Sequence, residues 1–434
     1  MNQIHSPEEL GEFRVSRGYA WYVFVLLFIL YMFFFIDRII INPLFPFLKE
    51  EWGLTDTQCG WFASITTLMM TLFVFPISIL VDRWSRKKSI ALMGILWGLS
   101  SAACALTRNF AQMITVRSLV GIGESAFTAG GHAMIAAYFP EEKRSTINGL
   151  FNAAVPMGTA LGMMLGGIIA ESFGWRYAFG IMAIPGIIVS FLFFWVKDYK
   201  TVEIKKTNAP DTGTHNDRAA FRDIVKEFLT TPSVLCTYLG YMGNMFVAAA
   251  LMTWLPTYYH RMEGLPMDKA GTKSSIIFLL AVVGAPISGL IIDLVRKKIL
   301  NARMSFPALT SLLATFFVFI GFHFFEGQVQ YIILLLWGLF ISMFAAGASA
   351  VTQDVMQPGL RAISYAIALF SMMIFGFTLA PIFVGAISDT HDLITAFRFL
   401  PLFSLFASAA FFVGSFFYVR DLKKVGKVTL KREG

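Results

Sequence analysis

Four ionisable residues stand in stretches that are otherwise almost pure hydrocarbon: Asp37 and Arg38 in "FFFIDRIIIN", and Arg117 and Glu124 in "RSLVGIGES". A charge at the centre of a bilayer costs roughly 2.5–3.5 kcal/mol even on the permissive insertion scale, so each needs a partner or water. Carboxylates and guanidiniums gathered at such a depth can do proton chemistry. Low dielectric draws a carboxyl toward its neutral form, and a nearby guanidinium draws it back, so a balanced group loads a proton on one side and unloads it on the other. Once the carboxyl is neutral, the guanidinium is free to hold an anion. Glu124 first, and Asp37 second, are therefore the candidate proton carriers, with Arg38 and Arg117 as candidate substrate contacts. A fixed salt-bridge network is the alternative use of the same four residues, although buried pairs stabilise poorly for their desolvation cost.

Helix geometry constrains the arrangement. Neighbouring residues are about 100° apart around a helix, so Asp37 and Arg38 point different ways and each implies its own partner. Arg117 and Glu124 share a face, about 20° from alignment, yet sit roughly 10 Å apart along the axis. They are the best candidate partners for Asp37 and Arg38. His132 lies about 80° around from Glu124 and reads as a hydrogen-bonded packing residue rather than a relay. Asp354, close to the end of its span, reads as a gate or loop contact.

The elements that must position these groups are membrane helices. Of 434 residues, 56% are apolar and only 14% charged, and mean hydropathy is +0.66, outside the range of soluble domains. Runs of roughly 20 apolar residues, enough to cross a bilayer, occur at 19–48, 57–81, 89–107, 110–139, 145–170, 175–196, 233–259, 272–293, 304–326, 329–356, 361–389 and 393–419. The fold class expected is all-α, with twelve transmembrane helices in two pseudo-symmetric six-helix bundles. The bundles would be 1–196 and 233–434, the second with a tail, joined by a polar linker at 197–232.

Lysine and arginine support the even count. With both termini cytoplasmic, 26 of the 35 fall on that side, 6 on the other and 3 within spans. The net charge of +8 is then a matter of topology and anionic headgroups, not a nucleic-acid footprint. Cys59, Cys104 and Cys236 have no metal-ligand spacing and read as packing residues. The first apolar run is too long for a cleaved signal and serves as its own insertion signal. The location expected is an integral, multi-pass membrane protein of a bacterial inner membrane or its equivalent.

Two stretches repeat: "SILVDRWSRKKS" after the second span and "SGLIIDLVRKKIL" after the eighth align Asp82 with Asp293 and Arg86 with Arg296. A duplicated six-helix unit gives this pattern. The first copy resembles the loop signature G-x-x-x-D-R-x-G-R/K of the major facilitator superfamily, through Asp82, Arg83 and Arg86, with Ser78 and Ser85 in place of its glycines. "RSLVGIGES" and "FGWRYAFGI" resemble the family's fourth and sixth helices. Among subfamilies, "YMFFFIDR", "VGIGES" and "FNAAVPMGTALG" are most similar to the spinster-like lipid transporters and to the anion:cation symporters of organic acids. The resemblance implies that helices 1 and 4 line a central cavity and that Asp82, Arg83, Arg86 and Asp293 belong to a cytoplasmic latch, Asp82 docking against helix 11 in the outward-facing state.

The second half is poor in charge at mid-depth and offers Tyr241 and Asn244 on adjoining positions of span 7, suited to orienting an uncharged part of a ligand. Asn152 in span 5 joins them as a candidate substrate contact. Gly158, Gly162 and Gly166 form a smooth strip on span 5, and Gly284, Ser288 and Gly289 a counterpart on span 8, where the resemblance implies that the halves slide. Pro156 and Pro381 free backbone carbonyls inside spans 5 and 11.

The function expected is proton-coupled symport of an organic anion by alternating access, driven by the proton gradient, with no bound cofactor, no metal and a monomeric chain in the bilayer. A carrier of lysolipid or sphingolipid is the alternative, and a transporter-like sensor with a fixed ligand site a third. No Ser-His pair, His-Glu-x-x-His or paired-Asp motif on one helix suggests an enzyme.

Overall fold

Helix ends fall where the sequence supplies caps. Ser16 accepts from the Tyr19 N–H at 3.3 Å, Asn109 from the Gln112 N–H at 3.0 Å, and Asp392 from the Thr395 N–H at 2.6 Å. Gly53 and Gly264, at φ of 62° and 63°, take the left-handed conformation that closes two other helices. The structure, a computed structural model, describes residues 16–83, 85–125, 127–197 and 226–425. Most of the expected linker, 198–225, lies outside them.

Among the described residues twelve helical spans follow one another. In the first half, α1 is Arg17–Ile40, continued through a 3-10 turn Asn42–Leu44 and a short helix Phe45–Trp52; α2 is Asp56–Arg83; α3 is Arg86–Cys104. Then α4 is Phe110–Glu124 and Phe127–Tyr138, α5 is Glu141–Asn152 and Ala154–Phe173, and α6 is Trp175–Leu192. In the second half, α7 is Pro232–Glu263, α8 is Met267–Leu279 and Ala281–Arg296, and α9 is Ala302–His323. The last three are α10, Gly327–Phe340 and Phe344–Asp354; α11, Arg361–Ser371, a π-helical stretch Met372–Thr378, and Leu379–Thr390; and α12, Leu393–Lys424. Ten of the described spans are long and apolar enough to cross a bilayer by length and composition alone. The other two are α3, which opens on "RKK", and the divided α4. The all-α architecture expected from the sequence is the one observed.

Packing divides the molecule by depth. One apolar core, with Phe45, Phe62, Trp254, Met267 and Trp337, runs across both halves at the end that carries the turns at 53–55 and 264–266. Toward the other end each half has its own core: Tyr31, Trp97, Phe127 and Phe151 in the first, Tyr238, Tyr241, Phe344 and Tyr418 in the second. The helix segments there, Phe127–Tyr138, Glu141–Asn152, Phe344–Asp354 and Arg361–Ser371, pack mainly within their own half. The end with the shared core is the sealed face, and the opposite end, rich in Lys and Arg, the basic face.

The glycine strip of α5 has a different partner from the one expected. A Cβ on Gly158 would lie 2.7 Å from the Cβ of Phe35, and one on Gly166 would lie 2.7 Å from the Pro43 Cγ, so the strip seats α1 of its own half. Gly284 of α8 likewise abuts Leu339 and Ser342 of α10. The contact between α5 and α8 is made elsewhere, by Met163 and Gly167 against Met267 and Gly271.

Candidate functional site

α1 ends at Ile40 and the Ile41 N–H turns to the Ile39 carbonyl, so carbonyls of the last turn of α1 lack intrahelical donors. Arg117 of α4 supplies them. Its Nη1 donates to the Asp37 carbonyl at 3.4 Å, its Nη2 to the Arg38 carbonyl at 3.5 Å and its Nε to the Phe62 carbonyl of α2 at 3.3 Å. Fully buried, Arg117 ties three helices together, and in this conformation its donors are spent on backbone rather than held open for a substrate.

That anchoring fixes where the two charges of "FFFIDRIIIN" point. The Asp37 carboxylate, 1% exposed, turns into the first half, where the Trp97 Nε1 donates to it at 3.0 Å and the Ser101 hydroxyl donates to its other oxygen. Arg38 turns toward the second half. Its Nη2 donates to the Thr67 Oγ1 at 2.5 Å, both Met70 and Met373 present sulfur at 3.9 Å, and its guanidinium stands 5.5 Å from the centre of the Phe377 ring. Met373 and Phe377 lie in the π-helical stretch of α11, a geometry that concentrates at functional sites. The divergence of Asp37 and Arg38 expected from helix geometry is what the structure has. Their direct partners, however, are neutral donors and acceptors rather than Glu124 and Arg117, because a neutral donor satisfies a buried carboxylate without a second charge being desolvated.

Glu124 is different again. It is 1% exposed, and among the described residues neither carboxylate oxygen has a hydrogen-bond partner. It lines a small cavity with Leu30 and Phe34 of α1, Gly94 and Trp97 of α3, and Phe127 of α4, with about 10 Å³ of room for water centres, close to what one water needs. Trp97 thus touches both carboxyl environments: its ring edges the Glu124 cavity and its N–H binds Asp37.

The other expected residues are placed apart from this cluster. Asn152 is exposed on α5, beside buried Phe151, whose ring stacks on Tyr31 at 4.5 Å. Tyr241 donates to the Ala345 carbonyl of α10 at 3.4 Å, edge-on to Phe344. Asn244 is turned into α9 and α12: its Nδ2 donates to the Ser311 Oγ at 2.7 Å, and its Oδ1 accepts from the Ser404 hydroxyl at 3.3 Å. Both its polar ends are thereby used in holding the second half together. His132 shares a hydrogen bond of 2.8 Å with Asn148, and Asp354 pairs with Arg303 and accepts from the Tyr418 hydroxyl at 2.8 Å. Asp293 is exposed, and the side chains of Asp82, Arg83 and Arg86 lie outside the described residues.

Sequence reasoning passed over Trp97, Ser101, Thr67, Met373 and Phe377. Trp97 and Ser101, four apart on one face of α3, were the available signal, and Pro381 marked the neighbourhood of the π-helical stretch. It also passed over a second charged cluster, at the sealed face. There Asp56, 2% exposed at the start of α2, accepts from Lys49 at 2.6 Å, from both terminal nitrogens of Arg261 at 2.6 and 2.7 Å, and from the Ser388 hydroxyl at 2.5 Å. Among the described residues no group of three or more His, Cys, Asp or Glu is placed to hold a metal.

Two six-helix halves joined at one face, with ionisable groups at mid-depth in one of them, define a two-bundle carrier of the membrane. The description "Major Facilitator Superfamily" matches residues 27–375, and the chain belongs to that family. It is 27% identical to a hexuronate transporter of Bacillus subtilis over 292 residues, 66% of this chain and 68% of that protein. Over 422 residues, 93% of this chain and 96% of the other, it is 23% identical to a D-galactonate transporter of Escherichia coli. Its fold superposes, with a TM-score of 0.82 at 20% identity and covering 94% of this chain and 99% of the other, on the crystal structure of a bacterial homolog to the human lysosomal transporter spinster in an inward-facing, unoccupied conformation. The protein is an integral, multi-pass membrane protein whose relatives are transporters.

Proposed function

We propose that the chain is a secondary transporter that carries an organic anion together with protons by alternating access, and that the conformation described is open to the cytoplasm. The observation that carries the reading is the pairing of opposites at mid-depth: among the described residues a buried carboxyl, Glu124, has no donor, and a guanidinium, Arg38, turned to where the halves part, has no carboxylate. With all four groups charged, the cluster sums to zero. A proton on Glu124 leaves one net positive charge, and a second on Asp37 leaves two, so proton and anion occupancy reinforce each other. Arg38 is the anion contact, Arg117 the residue that sets its backbone, and Asn152 and Tyr241 the candidates to meet the rest of the ligand. Asn244 is a packing residue.

The relatives that carry hexuronate and D-galactonate support a hydroxylated organic acid as cargo. The excess of Lys and Arg on the basic face supports cytoplasmic termini, with Asp82, Arg83, Arg86 and Asp293 as a latch that engages when that face closes. The proton gradient suffices as the driving force, with no bound cofactor, and one chain is the working unit. The sulfur and aromatic surroundings of Arg38 on α11 favour, as a second reading, an amphipathic lipid whose anionic head meets Arg38. Uptake of labelled hexuronate or galactonate into proteoliposomes under an inward proton gradient, beside transfer of a labelled lysolipid, separates the two. Accumulation of the sugar acid that collapses with a protonophore supports the proposal, and lysolipid transfer alone overturns it.

A further inference from the structure

The sealed face is closed by two copies of one device. At the junction of α2 with α11, the N-terminus of α2 sits on Gly385, where a Cβ would come within 2.7 Å of the Asp56 carbonyl carbon and 2.8 Å of the Thr57 nitrogen. Four residues on, Asp389 accepts from the Asp56 N–H at 2.6 Å, the Thr57 N–H at 2.8 Å and the Thr57 hydroxyl at 2.6 Å. At the junction of α8 with α5, the N-terminus of α8 sits on Gly167, where a Cβ would come within 2.9 Å of the Met267 carbonyl carbon. Four residues on, Glu171 accepts from the Met267 N–H at 3.1 Å. Within the seated helices Gly60 and Gly271, each four residues in, meet the backbone at Pro381 and Met163. Asp56 and Gly60 stand to Met267 and Gly271 in the same register that relates Asp82 to Asp293. The internal repeat therefore extends to the gate.

In both copies a helix of one half opens with N–H groups that have no intrahelical acceptor, and the acceptor is a carboxylate of the other half. We infer that Asp389 and Glu171 are positioning residues of the transport cycle, twin inter-half caps that hold the sealed face shut and must both let go for it to open. The two differ in strength. Among the described residues Asp389 takes three donors beside the clamp of Arg261 on Asp56, whereas Glu171 takes one. The junction of α2 with α11 is thus the main lock, and that of α5 with α8 the weaker one. The inference rests on alternating access but not on any choice of substrate or coupling ion.

The test is a spin-label distance across the sealed face, between Glu50→Cys and His391→Cys, both at exposed positions, with Cys59, Cys104 and Cys236 replaced by Ala in the full chain in nanodiscs. Asn at 389 and Gln at 171 keep size and shape but lose the charged acceptor. Asp389→Asn is expected to raise the ratio of long to short distances about tenfold and Glu171→Gln about threefold, the two multiplying in the double variant. Thr57→Val, which removes one hydroxyl donor, is the milder check if Asp389→Asn folds poorly, with an expected rise of about threefold. Two distance populations that none of the variants redistributes would overturn the caps. A single short population in every variant, with and without hexuronate and at every pH, would instead overturn alternating access, and the caps with it.

Discussion

Glu124 and Asp56 are both carboxylates almost completely withdrawn from solvent, at 1% and 2% exposure, and they have opposite surroundings. Asp56 is met by a lysine, a bidentate arginine and a serine hydroxyl. Glu124 has no hydrogen-bond partner among the described residues, although Arg38 stands on the neighbouring α1 and Arg117 two turns back on its own helix. A group whose task is to hold two bodies together is given every donor it can use, because an unsatisfied buried charge costs more than a satisfied one returns. The group proposed to gain and lose a proton is left without a donor among the described residues. The contrast sets the satisfied charges of the sealed face apart from the charges proposed to work at mid-depth.

The contrast can be broken first at Arg38. Arg38→Ala is expected to lower the initial rate of anion uptake by about a hundredfold or more, with Arg38→Lys recovering part of it, since the charge returns but not the planar fork. An effect of threefold or less in proteoliposomes would move the anion contact elsewhere. Asp56→Asn, at the other pole, leaves Lys49 and Arg261 without their shared partner. It is expected to slow transport about tenfold while the affinity for the anion on the cytoplasmic side is kept, so equilibrium binding set beside transport rate tells the two regions apart. Trp97→Phe removes one donor from Asp37 and enlarges the Glu124 cavity, with an expected severalfold fall in uptake, about 1 kcal/mol. Asn244→Ala is expected to cost about 1–2 kcal/mol of stability, read as a lower midpoint of thermal unfolding, and to leave affinity unchanged.

Much of this contrast was visible in residue order, and the reasons it was not all visible are physical. Charges inside hydrocarbon announce themselves, so Asp37, Arg38, Arg117 and Glu124 stood out at once, and the rise per residue of a helix placed Asp37 and Glu124 near the middle of their spans, with Arg117 nearer the outer side. The length of apolar runs and the excess of Lys and Arg on one side gave the twelve spans. Partners were harder. Trp97, Ser101 and Thr67 are neutral residues of kinds found throughout a membrane helix, and only the approach of α3 and α2 to α1 turns them into ligands of a charge. Met373 and Phe377 needed a π-helical stretch that periodicity alone does not reveal. Asp56 and Asp389 sit at helix ends, where acidic residues are ordinary, so nothing in their spacing showed that each serves the opposite half. Asn244 was read from one face of one helix, and the structure gives that face to α9 and α12.

The central claim is that Glu124 carries the coupled proton. Glu124→Gln, compared with the unaltered chain in proteoliposomes, should abolish accumulation driven by an inward proton gradient while exchange of labelled for unlabelled anion at equal pH persists at a comparable rate. Accumulation that keeps its full dependence on the gradient in Glu124→Gln would contradict it.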